Sequence, residues 1–288
     1  MSEIPGFRHI CIYGVGLIGG AVGMAVGKCG VAQRVTGIGR NEEKLQAARD
    51  MGVIDDYVLN PDKAFTDCDL LILSVPPKVI LEILPQIAGK LNPECIVTDA
   101  GSVKRKITAE SEKYFENGPF FVGSHPLAGS EKTGCENAGD VNLKGATCFV
   151  ALDKKTNRNA AARVSLFWKS LGMIPVVIHP DRHDEFAAAF SHVPHLASSA
   201  LSVKGTRVEE DRNFIKHLVG SGYRDMTRLA AGYPELWLDI CMNNRTEIVK
   251  DLDGLISILE EFRSAIDRED QSRIRHLLED ARGFQKSL

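Results

Sequence analysis

Residues 11–26 read CIYGVGLIGGAVGMAV, and Gly14, Gly16 and Gly19 fall in the spacing G-x-G-x-x-G. Glycine is common in loops, so the spacing alone says little. Its setting constrains the fold far more: the strand-like HICIYG leads in, and LIGGAVGMAVGKCG leads out as a helix. In such a unit the first glycine allows a tight turn and the second lets backbone approach a pyrophosphate. The third lets the helix pack closely on the strand. Free N–H groups and the partial positive charge of the helix start then face the phosphates. Gly14, Gly16, Leu17, Ile18 and Gly19 are the candidate dinucleotide contacts, against the plainer reading of a glycine-rich turn.

The next strand, RVTGIGR, bears on which dinucleotide. An NAD-preferring site puts Asp or Glu near its end to hold the ribose hydroxyls. Here Gly39 stands in that place and Arg40 follows. A carboxylate repels a 2′-phosphate and an arginine attracts it, so the expected cofactor is NADP or NAD, leaning to NADP. The alternative is that Arg40 stacks on the adenine or faces water. Asn41 is placed to cap the following helix, with Glu42 and Glu43 in its first turn.

Further along, LLILSVP, CIVTDAG, FFVGSHP, CFVAL and VVIHP read as strands, and residues 41–51 and 78–91 supply crossover helices. That alternation predicts an α/β fold with a mostly parallel sheet covered on both faces. After about Pro180 the pattern changes. Residues 184–205 form a long helical run, and Leu252, Leu255, Leu259, Phe262 and Ile266 recur at helical spacing as one apolar stripe. The expectation is a Rossmann-type dinucleotide-binding domain over residues 1–180 and an all-helical domain over 181–288.

Composition excludes several classes. Lys and Arg total 35 against 38 Asp and Glu, with no long basic tract, so nucleic acid is not an expected partner. No apolar run approaches the roughly 20 residues of a membrane span, and the first residues lack the pattern of a signal peptide. Seven scattered cysteines without a C-x-x-C pair fit a reducing cytoplasm and no structural zinc.

Three later stretches carry a family resemblance: TDAGSVK (98–104), GSHPLAGSEKTG (123–134) and FSHVPH (190–195), the last followed by YRDMTRLA (223–230). In this order they resemble the prephenate and arogenate dehydrogenases of tyrosine biosynthesis, from the glycine loop to about Asn244. The resemblance implies oxidation of a ring hydroxyl by hydride transfer to NAD(P)+, with loss of the ring carboxylate as CO2. It implies that His125 accepts the hydroxyl proton and that Ser102 bridges the hydroxyl, His125 and nicotinamide. It implies that Arg228 grips the ring carboxylate, that His192 lines the substrate site and that Glu131 belongs to the polar network around them. Ser74 and Pro76, ending LLILSVP, join the cofactor contacts.

The residue types suit these roles. Histidine accepts protons near neutral pH, so an apparent pKa near the ordinary ~6.5 is expected for His125, and a guanidinium can hold a carboxylate with two hydrogen bonds. Plainer readings stand beside them: a capping or core histidine for His125, a helix N-cap for Ser102, a surface arginine for Arg228 and a solvated Glu131. His195 reads as structural, His183 is a weak candidate, and no metal is required. The resemblance further implies a homodimer through the helical domain. With no extra regulatory domain expected, tyrosine inhibition would act at the active site. His192 leans the substrate toward prephenate over arogenate. Two other readings are a different dehydrogenase of the same architecture and a non-catalytic nucleotide-binding protein.

Overall fold

The computed structural model describes residues 6–115, 118–129 and 132–288. Strands β1 (Phe7–Tyr13), β2 (Ala32–Ile38), β3 (Asp56–Val58), β4 (Leu70–Leu73), β5 (Ile96–Asp99) and β6 (Phe120–Val122) form one parallel sheet in the order β3-β2-β1-β4-β5-β6. The apolar runs do not alternate because both faces are covered, and every residue of β4 and β5 is buried. Helices α1 (Leu17–Cys29), α2 (Glu42–Asp50), α3 (Asp62–Phe65), α4 (Pro77–Ile87) and α5 (Arg105–Ser111) lie between the strands. One apolar cluster gathers around Ile12, Val22, Ile72 and Trp168, the other around Cys11, Leu71, Ile80 and Ile107. Alternate residues of one strand therefore feed opposite cores. Each buried Ile or Leu side chain stabilises the fold by roughly 1.5–3 kcal/mol. Asn41 caps α2, its side chain accepting from the Lys44 N–H at 2.9 Å.

Strand order reverses between β1 and β4, and such a reversal opens a crevice at the strands' carboxyl ends. Two backbone bonds bring the loops there together: Gly14 N–H to the Ile38 carbonyl and Ser74 N–H to the Tyr13 carbonyl, both 2.8 Å.

The single strand expected over FFVGSHP is two strands in two sheets. β6 ends at Val122, and β7 (Ser124–Pro126) pairs antiparallel with β8 (Thr147–Ala151), which pairs parallel with β9 (Ile174–Ile178). The cause is Asp99. Its carboxylate accepts the Ser124 N–H (3.1 Å) and its carbonyl accepts the Ser124 hydroxyl (2.6 Å), so the ladder cannot continue along β5. Helix α6 (Arg158–Ser170) packs behind, with buried Trp168 donating to Ser124 Oγ at 3.0 Å.

Past β9 the described residues hold helices only: α7 (Pro180–Ala187), α8 (Val193–Thr206), α9 (Arg212–Leu218), α10 (Ser221–Thr227), α11 (Pro234–Asn243), α12 (Arg245–Asp267) and α13 (Gln271–Ser287). A π turn, Ala188–His192, joins α7 to α8 just before Pro194. Proline has no N–H for the helical ladder, and the wider turn absorbs that defect. The apolar stripe of α12 divides. Leu252 and Leu255 pack beside Ala188, Val193, Ile240 and Ile248, whereas Leu259 and Ile266 are about 60% exposed. No residue of α13 is buried.

The helical part docks on α4 and α5 through polar contacts. Arg105 reaches Asp181 (2.6 Å) and Glu247 (2.9 Å), and Asp239 accepts the Lys78 N–H at the start of α4 (2.8 Å).

Candidate active site

The glycine loop fits a dinucleotide. Gly14 has φ 92°, and a Cβ there would lie 2.5 Å from the Ser74 carbonyl oxygen. A Cβ on Gly19 would lie 2.1 Å from the Gly14 carbonyl oxygen, so only glycine lets α1 sit this close to the turn. Around Gly16 there is open space, and α1 carries neither a side-chain cap nor an acidic first-turn residue. Its first N–H groups thus stay available for phosphate. Leu17 and Ile18 open that helix, Ser74 follows β4, and exposed Pro76 precedes α4. Arg40 is exposed just beyond the end of β2, beside the same crevice.

The catalytic candidates gather where β5, β7, α5, α7 and the π turn meet. His125 on β7 is linked to His183 on α7, Nδ1 to Nε2, at 2.9 Å. His183 Nδ1 lies 2.7 Å from Asp184 Oδ1. Asp184 in turn accepts the backbone N–H groups of Lys104 (2.7 Å) and Arg105 (3.1 Å) at the start of α5. These bonds have one consistent direction. A carboxylate accepting from backbone also accepts from His183 Nδ1–H, which leaves His183 Nε2 as an acceptor. His125 Nδ1–H then donates to it, and His125 Nε2 is left unprotonated. The chain ends in the nitrogen a base needs.

Charge and burial tune this cluster. Burial first, then His183, Lys104 and His192, holds His125 well below the ordinary histidine range. The expected value near 6.5 is thereby corrected: His125 stays neutral into acid. Burial, Lys104 and His192 push His183 down in the same way. Burial pushes Asp184 up, opposed by the Lys104 and Arg105 backbone donors. Fully buried Lys104 is paired with fully buried Asp99, whose carboxyl burial pushes up while the Lys104 charge pulls it back. The same carboxylate holds the Gly101 N–H at 3.0 Å and so fixes the turn bearing Ser102.

Ser102 is not the N-cap of α5. That position is Lys104, with no side-chain cap of its own, and Asp184 supplies the carboxylate from a different helix. His192, 1% exposed, ends the π turn, and the Asp184 charge and then the Ser102 backbone favour its charged form. Burial outweighs this and lowers His192 to about 4. Ser102, His125 and His192 therefore share one neighbourhood. His195 stacks on Trp237 at 3.4 Å between ring centroids, which fits a structural role.

Arg228 lies at the exposed start of a 3-10 turn, Arg228–Ala231. That turn runs into Gly232, which packs against Trp237 and His195. Glu131 lies outside the described residues. Among the described residues no group of His, Cys, Asp or Glu is arranged to hold a metal ion. Sequence reasoning undervalued His183 and missed Asp184 and Asn244; the adjacent His-Asp pair in DRHDE was the one available signal.

The nucleotide-binding domain of prephenate dehydrogenases matches residues 22–177, and the dimerization domain of the same enzymes matches residues 179–280. The chain belongs to the prephenate dehydrogenase family. Within it, the chain is 28% identical to the prephenate dehydrogenase of Bacillus subtilis, over 97% of this chain and 76% of that protein. It is 30% identical to the cyclohexadienyl dehydrogenase of Zymomonas mobilis, over 98% of this chain and 95% of that one. The structure resembles prephenate dehydrogenase from Aquifex aeolicus in complex with hydroxyphenyl propionate and NAD+ (TM-score 0.89, 27% identity, 98% of each chain). It also resembles Synechocystis arogenate dehydrogenase (TM-score 0.81, 25% identity, 97% of this chain and 99% of that one). Membership of this enzyme family removes the ground for the rival reading of a silent nucleotide-binding protein.

Proposed function

We propose that this family member oxidises prephenate to 4-hydroxyphenylpyruvate and CO2, passing a hydride to NAD(P)+. The observation that carries the reading is the direction of the Asp184–His183–His125 chain, which leaves His125 Nε2 unprotonated. A dinucleotide held by the Gly14–Gly19 loop would supply the hydride acceptor for the ring carbon that bears the hydroxyl. His125 accepts the proton of that hydroxyl, and Ser102 orients it. The ring carboxylate leaves as CO2, its bonding electrons completing the aromatic ring, and His125 returns the proton to the phenolate oxygen so formed. Because aromatisation drives this loss, the protein's task is positioning plus help at the hydroxyl. Arg228 is the residue assigned to the ring carboxylate, and Glu131 to the surrounding polar network. His183 and Asp184 position the base.

Gly39 and Arg40 support use of NADP+ at least as well as NAD+. The exposed apolar residues Leu259, Ile266, Leu278 and Phe284 of the helical part support a homodimer, and light scattering reads its mass. The working division is a cofactor domain over residues 1–180 and a substrate and dimer domain over 181–288. Arogenate is the second reading, favoured by the likeness to the Synechocystis enzyme. Mixing the protein with each substrate and each cofactor, and following reduced-nicotinamide absorbance, tests all of this. Turnover of prephenate is expected. Arg40→Ala should raise KM for NADP+ more than for NAD+. Absence of turnover with both substrates would overturn the assignment.

A further inference from the structure

Asn244 stands at the start of α12, 3% exposed, yet its side chain does not cap that helix. Its Nδ2 donates to the Asp184 backbone carbonyl at 2.8 Å and lies 3.2 Å from His192 Nδ1. A carbonyl only accepts, so the Asn244 atom between these two groups is the amide N–H2 and not the amide oxygen. Its second hydrogen meets His192 Nδ1, which must therefore be an acceptor. A neutral imidazole carries one proton, so the proton of His192 is on Nε2. That nitrogen is buried and has no hydrogen-bond partner among the described residues. The Ser102 backbone, on the turn next to His125, lies close enough to the ring to act as a hydrogen-bond acceptor that favours its charged form.

We infer that Asn244 is a positioning residue that fixes the tautomer of His192, keeping Nδ1 an acceptor and Nε2 the donor. The inference rests on the reading of this crevice as the substrate site. The arrangement uses three elements at once. The π turn sets the ring between α7 and α12, the α7 carbonyl fixes the amide, and the amide fixes the ring.

Long-range proton–nitrogen correlation spectra of the 15N-histidine-labelled full-length protein at pH 7 read the tautomer directly. The His192 signal is assigned by its absence in His192→Gln. The expected result is the Nε2–H form in the native protein and its loss or mixing in Asn244→Ala. Kinetics supply the second arm. Asn244→Ala and His192→Leu should each raise KM for prephenate about tenfold or more, with a smaller change in kcat. His192→Gln offers an amide N–H at similar reach and should stay within about threefold of the native KM. An Nδ1–H tautomer in the native protein, or a His192→Gln protein as poor as His192→Leu, overturns the inference. If neither prephenate nor arogenate is turned over, the functional reading fails, while the spectra still decide what Asn244 does to His192.

Discussion

Lowering the pH from 7 to 5 adds a proton to most unfolded-state histidines, whose ordinary pKa is about 6.5. Folded His192 refuses it, because burial holds the ring down to about 4. A depressed histidine pKa leaves stability intact above 6.5 and removes it as the pH falls toward the folded value. The gap of about 2.5 pKa units is worth about 3.4 kcal/mol at its limit, and about 2 kcal/mol of it is lost by pH 5. His125 and His183 act in the same direction, since both are held well below the ordinary range. Asp99 and Asp184 act in the opposite one, because their carboxyls are pushed up. The clean measurement is therefore a difference. Urea unfolding of the native protein and of His192→Gln, at pH 7 and pH 5, should show the native protein losing about 2 kcal/mol more than the variant. Equal losses in the two proteins would refute the claim that His192 is buried and neutral.

Three other perturbations probe the site. Asp184→Ala removes the acceptor that orders the His183 and His125 protons, so kcat should fall at least about tenfold with little change in KM. It also uncaps α5, at about 1 kcal/mol by thermal melting; an unchanged kcat in a folded variant would dismiss the chain of tautomers. The kcat/KM profile should hold until well below pH 6.5, since only neutral His125 can accept the hydroxyl proton. In His125→Asn kcat should drop about 10²–10⁴-fold and the acid limb vanish; a native limb centred at 6.5 or above contradicts the burial argument. Gly19→Ala places a methyl 2.1 Å from the Gly14 carbonyl oxygen. The loop must shift, so NAD(P)+ affinity in a fluorescence titration should fall about tenfold or more. Native affinity in this variant would show that the loop does not bind the cofactor.

Local signals were enough for the frame of this protein. The glycine spacing, the unbroken apolar strands and the change to helical periodicity near Pro180 depend on neighbours a few residues apart, so the sequence carries them openly. The same holds for Asn41, whose capping partner Lys44 is three residues on. The family motifs likewise marked His125, Ser102 and His192 as candidates before any fold was known. Tertiary structure decided the rest. FFVGSHP divides between two sheets because Asp99, 25 residues away, captures Ser124. His125 meets His183 across 58 residues, and Asp184 reaches Lys104 across 80. Asn244 orients His192 from 52 residues away. A histidine's proton goes to whichever nitrogen its partners leave as the donor, and here those partners are brought in by the packing of distant helices. The sequence supplies the imidazoles, and the fold determines which of their nitrogens face a ligand as base or as donor.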